Sequence, residues 1–178
     1  MIDISYINGY FPPHLASNAA FQKHILKEYI QLMVLDYLAD TPYIGKLAFI
    51  GGTNLRLIKG IDRFSEDLDF DCRNLSEPEF MEMTDGIVAF LKNSGLNVES
   101  RDKVNPKLTA FRRNIYFPEF LFELGLTGHR DERFLLKIEA QDQGVPYPVE
   151  TRHVQRCGFF FSLPAPPDSV MLGMKLSA

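Results

Sequence analysis

The stretch between residues 49 and 71 constrains the fold of this chain more than any other part of the sequence. It opens with two glycines, Gly51 and Gly52, directly after an apolar run. It closes with three aspartates that alternate with two apolar residues: Asp67, Leu68, Asp69, Phe70 and Asp71. Alternation with a period of two is typical of a β-strand with one polar and one apolar face. We therefore predict a strand that holds three carboxylates on one face.

The three carboxylates favour a cation-binding site. Residues two apart on a strand are separated by roughly 6.6 Å, so neighbouring carboxylates repel each other and each disfavours ionisation of the next. A hard divalent cation with oxygen ligands relieves this repulsion. The alternative is an exposed edge strand with its charges in water. The apolar pair between the acids, Leu68 and Phe70, favours burial of the strand and therefore the cation site.

The two glycines form the other half of the pattern. Residues 46–50 indicate a short buried strand and residues 53–59 a short helix, so Gly51 and Gly52 lie at the turn between them. Glycine lets the backbone approach a ligand without interference from Cβ, and the N–H groups at the start of a helix attract anions. Thr53 adds a hydroxyl donor. A phosphate cradle beside cation-binding carboxylates is the combination that a nucleoside triphosphate requires, whereas a plain tight turn is the alternative for the glycines alone.

A second polar strand is predicted over residues 133–141. Alternate residues there separate a polar face from an apolar one: Leu135, Lys137, Glu139 and Gln141 against Phe134, Leu136, Ile138 and Ala140. This strand matches the acidic strand in character, so the two could lie side by side in one sheet. Glu139 is then the candidate for a further carboxylate, and Asp71 is the alternative third ligand. A surface ion pair with a neighbouring lysine is the other interpretation of Glu139.

The remaining patterns predict an α/β (α+β) fold with a small mixed sheet flanked by helices. Helices are expected over residues 18–39 and, from a capping box at Ser76 and Glu79, to about Asn93. Further strand-like runs are found at 96–102, 107–117, 119–126 and 153–163. We divide the chain into an N-terminal arm over 1–17, a main domain over 18–165 and the start of a C-terminal helical region over 166–178, which ends inside its first helix.

Composition narrows the functional class. The chain has 178 residues and a formal net charge of −4, which argues against a generally basic nucleic-acid coat. Its two cysteines have no metal-ligand spacing, and neither a signal peptide nor an apolar stretch long enough for a membrane span is present in the sequence. We expect a cytoplasmic protein without a membrane partner.

Several basic and polar residues near these motifs have two interpretations. Arg56 and Lys59 could meet triphosphate oxygens or form a solvated surface. Arg63 and Ser65 could orient phosphates or brace the loop before the acidic strand. Four further basic residues could hold an acidic acceptor such as RNA, or form a solvated face: Lys103, Lys107, Arg112 and Arg113.

Taken together, G-G-T-x-L-R and R-x-S-x-D-L-D resemble the signature of polymerase-β-type nucleotidyltransferases. The chain is most similar to the AbiEii/AbiGii toxin family of type IV toxin–antitoxin systems. The residues that carry the resemblance are Gly51, Gly52, Thr53, Arg63, Ser65, Asp67 and Asp69, then Glu139 in K-I-E and Lys175 in M-K-L-S-A. In that family the last helix continues into further helices with an Arg-Asp-x-Tyr-Asp-like motif, which this chain does not contain.

The resemblance implies a polymerase-β-like nucleotidyltransferase fold and a specific chemistry. A nucleoside monophosphate would pass from an NTP to a nucleotide or tRNA-like acceptor, with release of pyrophosphate. Asp67, Asp69 and Glu139 would hold two Mg²⁺ ions, and Glu139 could instead act as the base. Phosphates would be bound by Gly51, Gly52, Thr53, Arg63 and Ser65. Lys175 would neutralise triphosphate charge, and a separately encoded antitoxin would be the protein partner.

Two other functions are compatible with the same residues. One is a small-molecule nucleotidyltransferase of the kind that modifies antibiotics. The other is a non-catalytic module that binds a nucleotide or a metal. A labelled NTP separates the three functions. Label on RNA supports the toxin, label only on a small molecule supports the antibiotic-type enzyme, and no transfer supports the non-catalytic module.

Overall fold

The computed structural model describes residues 2–102, 107 and 109–177 of the chain, so Lys103 lies outside the described residues. The helices are α1 (Ile4–Asn8), α2 (Pro13–Ala16), α3 (Ala19–Ala39), α4 (Gly51–Lys59), α5 (Glu77–Asn93), α6 (Phe120–Glu123) and α7 (Asp168–Ser177). The strands are β1 (Leu47–Ile50), β2 (Leu68–Cys72), β3 (Glu99–Arg101), β4 (Phe111–Tyr116), β5 (Leu135–Gln141), β6 (Glu150–Arg156) and β7 (Phe159–Ala165). A 3-10 helix over Pro42–Lys46 precedes β1.

Five strands form the mixed sheet that the sequence predicts. Their order is β1-β2-β5-β4-β3, and β2 and β5 are the parallel pair at its centre. The other neighbours are antiparallel. A parallel pair needs a long crossover, which the chain between β2 and β5 supplies with α5, β3, β4 and α6. The strands β6 and β7 form a separate two-stranded hairpin.

Burial follows the alternation of the sequence. On β5, Leu136, Ile138 and Ala140 are fully buried, whereas the residues between them are half-buried. On β2, Leu68 and Phe70 are buried in the same way. The helices α3 and α5 supply much of the buried core, with α5 capped by the predicted pair Ser76 and Glu79. One sheet face is therefore core, and the carboxylates belong to the other.

Two of the predicted strands are wrong. The run 119–126 contains helix α6, because a short apolar run has no periodicity that separates a strand from a buried helix. The run 153–163 spans two strands, β6 and β7, joined at Cys157 and Gly158 with φ angles of 52° and 81°. A two-residue turn with positive φ at both positions matches the twist of a hairpin. The cysteine conceals this turn, because it is not a residue that usually adopts positive φ.

The N-terminal residues before α3 are not a free arm. Helices α1 and α2 pack against α3, and Ile7 and Phe11 are buried in the main core. No helix in the described ranges is long and apolar enough to cross a membrane.

A buried ionic cluster joins the helices to the hairpin. Glu28 on α3 is 1% exposed, and its Oε1 lies 2.7 Å from Nε of Arg56 on α4. Its other oxygen lies 3.1 Å from Nε of Arg156 on β6. Arg56 therefore neither meets a triphosphate nor lies in solvent, and both interpretations from the sequence are wrong. Glu28 and Arg56 can be buried because each has a partner of opposite sign, whereas Arg156 is half-buried.

We expect Glu28→Gln to destabilise the fold by about 3 kcal/mol, because it leaves two arginines without their shared carboxylate. Urea denaturation measures the effect. The matched control is Glu132→Gln, which removes a surface ion pair with Lys23 and should lower the free energy of unfolding much less than Glu28→Gln does. Equal losses in the two variants would contradict a special role for the buried cluster.

Candidate active site

Strands β2 and β5 bring the predicted carboxylates together. Their parallel register places Asp69 opposite Glu139. Asp67 lies one residue before β2 and therefore near the same end of the pair. The core face of β2 is fixed by Leu68 and Phe70, so the half-buried Asp69 side chain is on the open face. We refer to Asp67, Asp69 and Glu139 as the carboxylate cluster.

The charges of the carboxylate cluster affect the pKa of Asp69. Burial raises the pKa of Asp69 from its ordinary 3.8 to about 6, and the negative charges of Asp67 and Glu139 add to this effect. The positive charges of Lys137 and Arg112 oppose it. A carboxylate with a raised pKa between two others indicates a site that lacks full charge compensation.

Two cations partly neutralise the carboxylate cluster. Lys137 Nζ lies 3.1 Å from Asp67 Oδ2 and 3.5 Å from Glu139 Oε2. Arg112 Nη2 lies 2.8 Å from Glu139 Oε1. Burial alone would lower the pKa of Lys137, but its hydrogen bond to Asp67 and the charges of both acids outweigh burial and raise it. The sequence offered the Lys137–Glu139 ion pair as an alternative, and this pair is present. Sequence reasoning missed the contacts with Asp67 and Arg112, since only the strand pairing brings these residues together.

The second arginine of the Arg112–Arg113 pair has a structural role. Arg113 is 6% exposed and donates to Ser100 Oγ at 2.8 Å and to Thr84 Oγ1 at 3.2 Å. It also pairs with Asp85 at 2.8 Å. It thus joins β3, β4 and α5 and is not part of an exposed acceptor-binding surface.

The glycine turn approaches the carboxylates from β1. Gly51 has φ +80°, and a Cβ built on it would lie 2.6 Å from Asp69 Oδ2. A Cβ on Gly52 would lie 2.7 Å from Ser65 Oγ. Both distances are far shorter than real Cβ contacts, so the two glycines are what allows Asp69 and Ser65 to lie against the start of α4. The predicted convergence of glycines and aspartate is therefore present.

Buried side chains of α3 and α4 hold the loop between α4 and β2. Gln31, which is 1% exposed, donates Nε2–H to the Ser65 carbonyl at 2.9 Å. Thr53 is equally buried, and its hydroxyl donates to the Asp67 carbonyl. This differs from the expected phosphate contact of the Thr53 hydroxyl, because that hydroxyl fixes the backbone of Asp67 instead. Arg56 donates to the Ile61 carbonyl at 3.2 Å, so three carbonyls of this loop are held.

Asp71 is not available as a third ligand. Its carboxylate accepts a hydrogen bond from the Tyr147 hydroxyl and one from the Gln143 backbone N–H at 2.9 Å. Burial and the hydrogen bond to Asp71 raise the pKa of Tyr147, so the phenol remains a donor. The last aspartate of D-L-D-F-D thus attaches the segment after β5 to β2. Asp71 is 2% exposed, which is explained by these two donors.

One cavity of about 680 Å³ collects seven of the nine predicted site residues. They are Gly51, Gly52, Arg63, Ser65, Asp69, Glu139 and Lys175. Thr53 and Asp67 are not among the residues that line this cavity. Apolar side chains such as Phe64, Met171 and Met174 complete the wall. The cavity therefore combines a glycine turn, carboxylates and cations with an apolar surface, as binding sites for small organic anions do.

Helix α7 brings Lys175 to this cavity. Its first-turn Asp168 pairs with Lys59 at the end of α4 and with Arg152 on β6. Met171 on the same helix is 5% exposed and lines the cavity. Lys59 therefore pairs with α7 at the exposed surface and is not among the residues that line the cavity, which agrees with the surface interpretation from the sequence.

The oxygen atoms of the carboxylate cluster are potential ligands of a metal ion. In the part of the chain that the structure describes, no three acidic, histidine or cysteine side chains are close enough to hold a metal as they stand. The reason is visible in the contacts, because Asp67 and Glu139 are engaged by Lys137 and Arg112. The carboxylate cluster supplies only hard oxygen donors, and burial together with the charges of Asp67 and Glu139 raises the pKa of Asp69. Both properties fit a divalent cation.

Comparison with known proteins shows the family to which the chain is similar. A family model described as nucleotidyl transferase AbiEii toxin, type IV toxin–antitoxin system, matches residues 34–178. Similar solved structures include MenT4, a nucleotidyltransferase toxin from Mycobacterium tuberculosis H37Rv, with 18% identity, a TM-score of 0.69 and coverage of 99% of this chain and 59% of that one. They also include JHP933 from Helicobacter pylori, with 22% identity, a TM-score of 0.53 and coverage of 87% and 56%.

These structural likenesses show the fold. At such identities they carry no residue roles, and the chain spans less than two thirds of the length of either protein. No curated protein matches the chain. The mixed sheet flanked by helices, predicted from the sequence, is the nucleotidyltransferase toxin fold of these structures.

We expect Gly51→Ala to destabilise the fold by about 3 kcal/mol, because alanine at positive φ is strained and its Cβ meets Asp69. Gly60→Ala is the matched control. Gly60 has φ +72° with nothing within 4 Å of its added Cβ, so only the backbone strain of about 1 kcal/mol applies. Chemical denaturation of both variants gives the difference. Losses of the same size would mean that Asp69 does not pack against Gly51.

The raised pKa of Asp69 predicts a pH-dependent stability. Because the folded state binds this proton more tightly than the unfolded chain, the contribution is full below the ordinary pKa and is lost as pH rises through about 6. Asp69→Asn removes that loss, so at pH 7 and without divalent cations the variant should be more stable than wild type by about 1–2 kcal/mol. Urea denaturation at pH 4, 5, 6 and 7 tests this. A constant difference across that range would contradict the raised pKa.

Proposed function

The chain belongs to the AbiEii family of nucleotidyltransferase toxins of type IV toxin–antitoxin systems, and on this premise we propose that it transfers a nucleoside monophosphate from an NTP to an acceptor hydroxyl and releases pyrophosphate. The observation that carries the proposal is the contact between Asp69 and Gly51. It joins a phosphate-type turn to Asp69 and Glu139 of the carboxylate cluster within one cavity. An NTP requires both parts at this separation.

The triphosphate would bind at the start of α4. Backbone N–H groups there have no partner within the helix and carry the positive end of the helix dipole. Residues 51 and 52 are glycines and lie close to Asp69 and Ser65. No Cβ therefore stands between the backbone at this turn and a ligand. The cations that line the same cavity, Arg63 and Lys175, would neutralise phosphate charge as it shifts to the leaving group.

The carboxylate cluster would hold two Mg²⁺ ions, which supply charge neutralisation and lower the pKa of the attacking hydroxyl when bound. Asp67 and Asp69 would be ligands from β2, and Glu139 would be a ligand from β5 or accept the proton of the acceptor hydroxyl. Thr53 would act by position, since its hydroxyl holds the Asp67 backbone. Gln31 would act in the same way through the Ser65 carbonyl.

The acceptor and the protein partner follow from the family alone. A cognate antitoxin is the partner that a type IV toxin–antitoxin system implies, and a nucleotide or tRNA-like acceptor is the choice that we propose from the resemblance. We propose that the protein acts on this acceptor in the cytoplasm. The rival with a small-molecule acceptor shares every residue of the cavity, so only the transferred label separates it from the toxin.

We expect Asp69→Asn to lower NTP-dependent pyrophosphate release by at least about 100-fold, because a central carboxylate is replaced by a neutral amide. Asp62→Asn is the control. Asp62 lies in the loop between α4 and β2, and its side chain is fully exposed and outside the cavity lining. Its rate should stay within about twofold of wild type. Equal rates for wild type and Asp69→Asn would refute the assignment of the site.

The acceptor is identified with each of the four NTPs labelled on the α-phosphate. Total RNA, purified tRNA and a panel of hydroxyl-bearing small molecules are offered separately. Label on RNA that is absent with Asp69→Asn supports the toxin. Label on a small molecule alone supports the rival, and saturable NTP binding without label transfer supports a non-catalytic module.

A further inference from the structure

The ammonium group of Lys137 lies between two members of the carboxylate cluster, where a metal cation could also bind. It contacts a carboxylate oxygen of Asp67, from the residue preceding β2, and one of Glu139, from β5, at 3.1 and 3.5 Å. Arg112 touches only Glu139. Among the residues that the structure describes, Lys137 thus contacts two members of the carboxylate cluster. Its side chain is 28% exposed, so solvent screens it only partly.

We propose that Lys137 is a built-in counter-ion that competes with divalent cations for the carboxylate cluster, so that a metal binds only as the ammonium leaves Asp67 and Glu139. The inference rests on the proposed function, because it concerns the cation which that reaction requires. It goes beyond that function in assigning a role to Lys137, because the resemblance gives a role only to Glu139 within K-I-E.

The argument starts from geometry. Two cations cannot share the same pair of oxygens, since like charges at such a distance repel strongly in a partly buried site. While Lys137 is in place, the cluster has two cations for three carboxylates, so little negative charge remains to attract a metal. This also accounts for the lack of a preformed metal site among the described residues.

The side chain can leave without disturbing the fold. Lys137 is on the open face of β5, whereas its neighbours Leu136 and Ile138 anchor the strand in the core. A lysine has four rotatable bonds, so its ammonium can move several ångströms while the backbone stays fixed. Displacement therefore requires no change in the pairing of β2 with β5.

The test is Mn²⁺ binding to the full chain without nucleotide, measured by electron paramagnetic resonance of free Mn²⁺. Lys137→Met should bind Mn²⁺ about tenfold more tightly than wild type, because the competing ammonium is gone. Arg112→Met removes one positive charge without opening the bridging position, so its gain should stay below about threefold. Lys137→Arg keeps a bridging cation and should remain close to wild type.

A second measurement on the wild-type chain covers the case in which Lys137→Met does not fold. With ¹⁵N-labelled lysine, addition of diamagnetic Mg²⁺ should shift the Lys137 ammonium signal. The signal of Lys59, which pairs with Asp168 away from the cluster, should not move. A Lys137 signal that stays fixed while Mg²⁺ saturates the chain would overturn the proposal.

The outcomes separate this inference from the proposed function. Equal gains for Lys137→Met and Arg112→Met would show a general charge effect and overturn the competition. The same holds for unchanged or weaker binding by Lys137→Met. If wild type binds Mn²⁺ and Asp69→Asn does not, the proposed function stands in either case. If no Mn²⁺ binding depends on Asp69, both proposals fail.

Discussion

The close approach of Asp69 to Gly51 is the contact on which the rest of the site depends. A Cβ at position 51 would lie 2.6 Å from the carboxylate, so only glycine permits β2 and the start of α4 to lie this close. The positive φ of Gly51 turns the chain from β1 into the helix in the same step. Strand, turn and helix thus converge on one carboxylate. A side chain at that position would separate the phosphate-type turn from the acids that must act with it.

The surrounding structure keeps that convergence rigid. Gln31, Thr53 and Arg56 are buried polar groups, and each donates to a carbonyl of the loop that leads into β2. Glu28 in turn neutralises Arg56 and links it to the hairpin through Arg156. Buried polar groups are stable only when they have partners, so this network specifies one position for the loop. The buried hydrogen bonds of the core therefore position the loop residues that line the cavity.

Charge in the site is balanced from within. Three carboxylates lie on one small area of the sheet, and burial together with their mutual repulsion raises the pKa of Asp69. Lys137 and Arg112 relieve part of this repulsion. Arg113, the next residue along the strand, points to the opposite side and is buried among β3, β4 and α5. Adjacent arginines thus have unrelated roles because a strand alternates its faces.

Local pattern in the sequence determined the parts of the site. The period-two alternation on β2 and β5 fixed which acids share a face, and the paired glycines fixed the turn, because both properties depend on neighbouring residues alone. Tertiary structure decided which parts meet. The parallel register of Asp69 with Glu139 and the capture of Asp71 by Tyr147 join residues 70 or more positions apart. So does the arrival of Lys175 on α7. Such pairings arise from burial and strand order across the whole chain, and no local pattern encodes them.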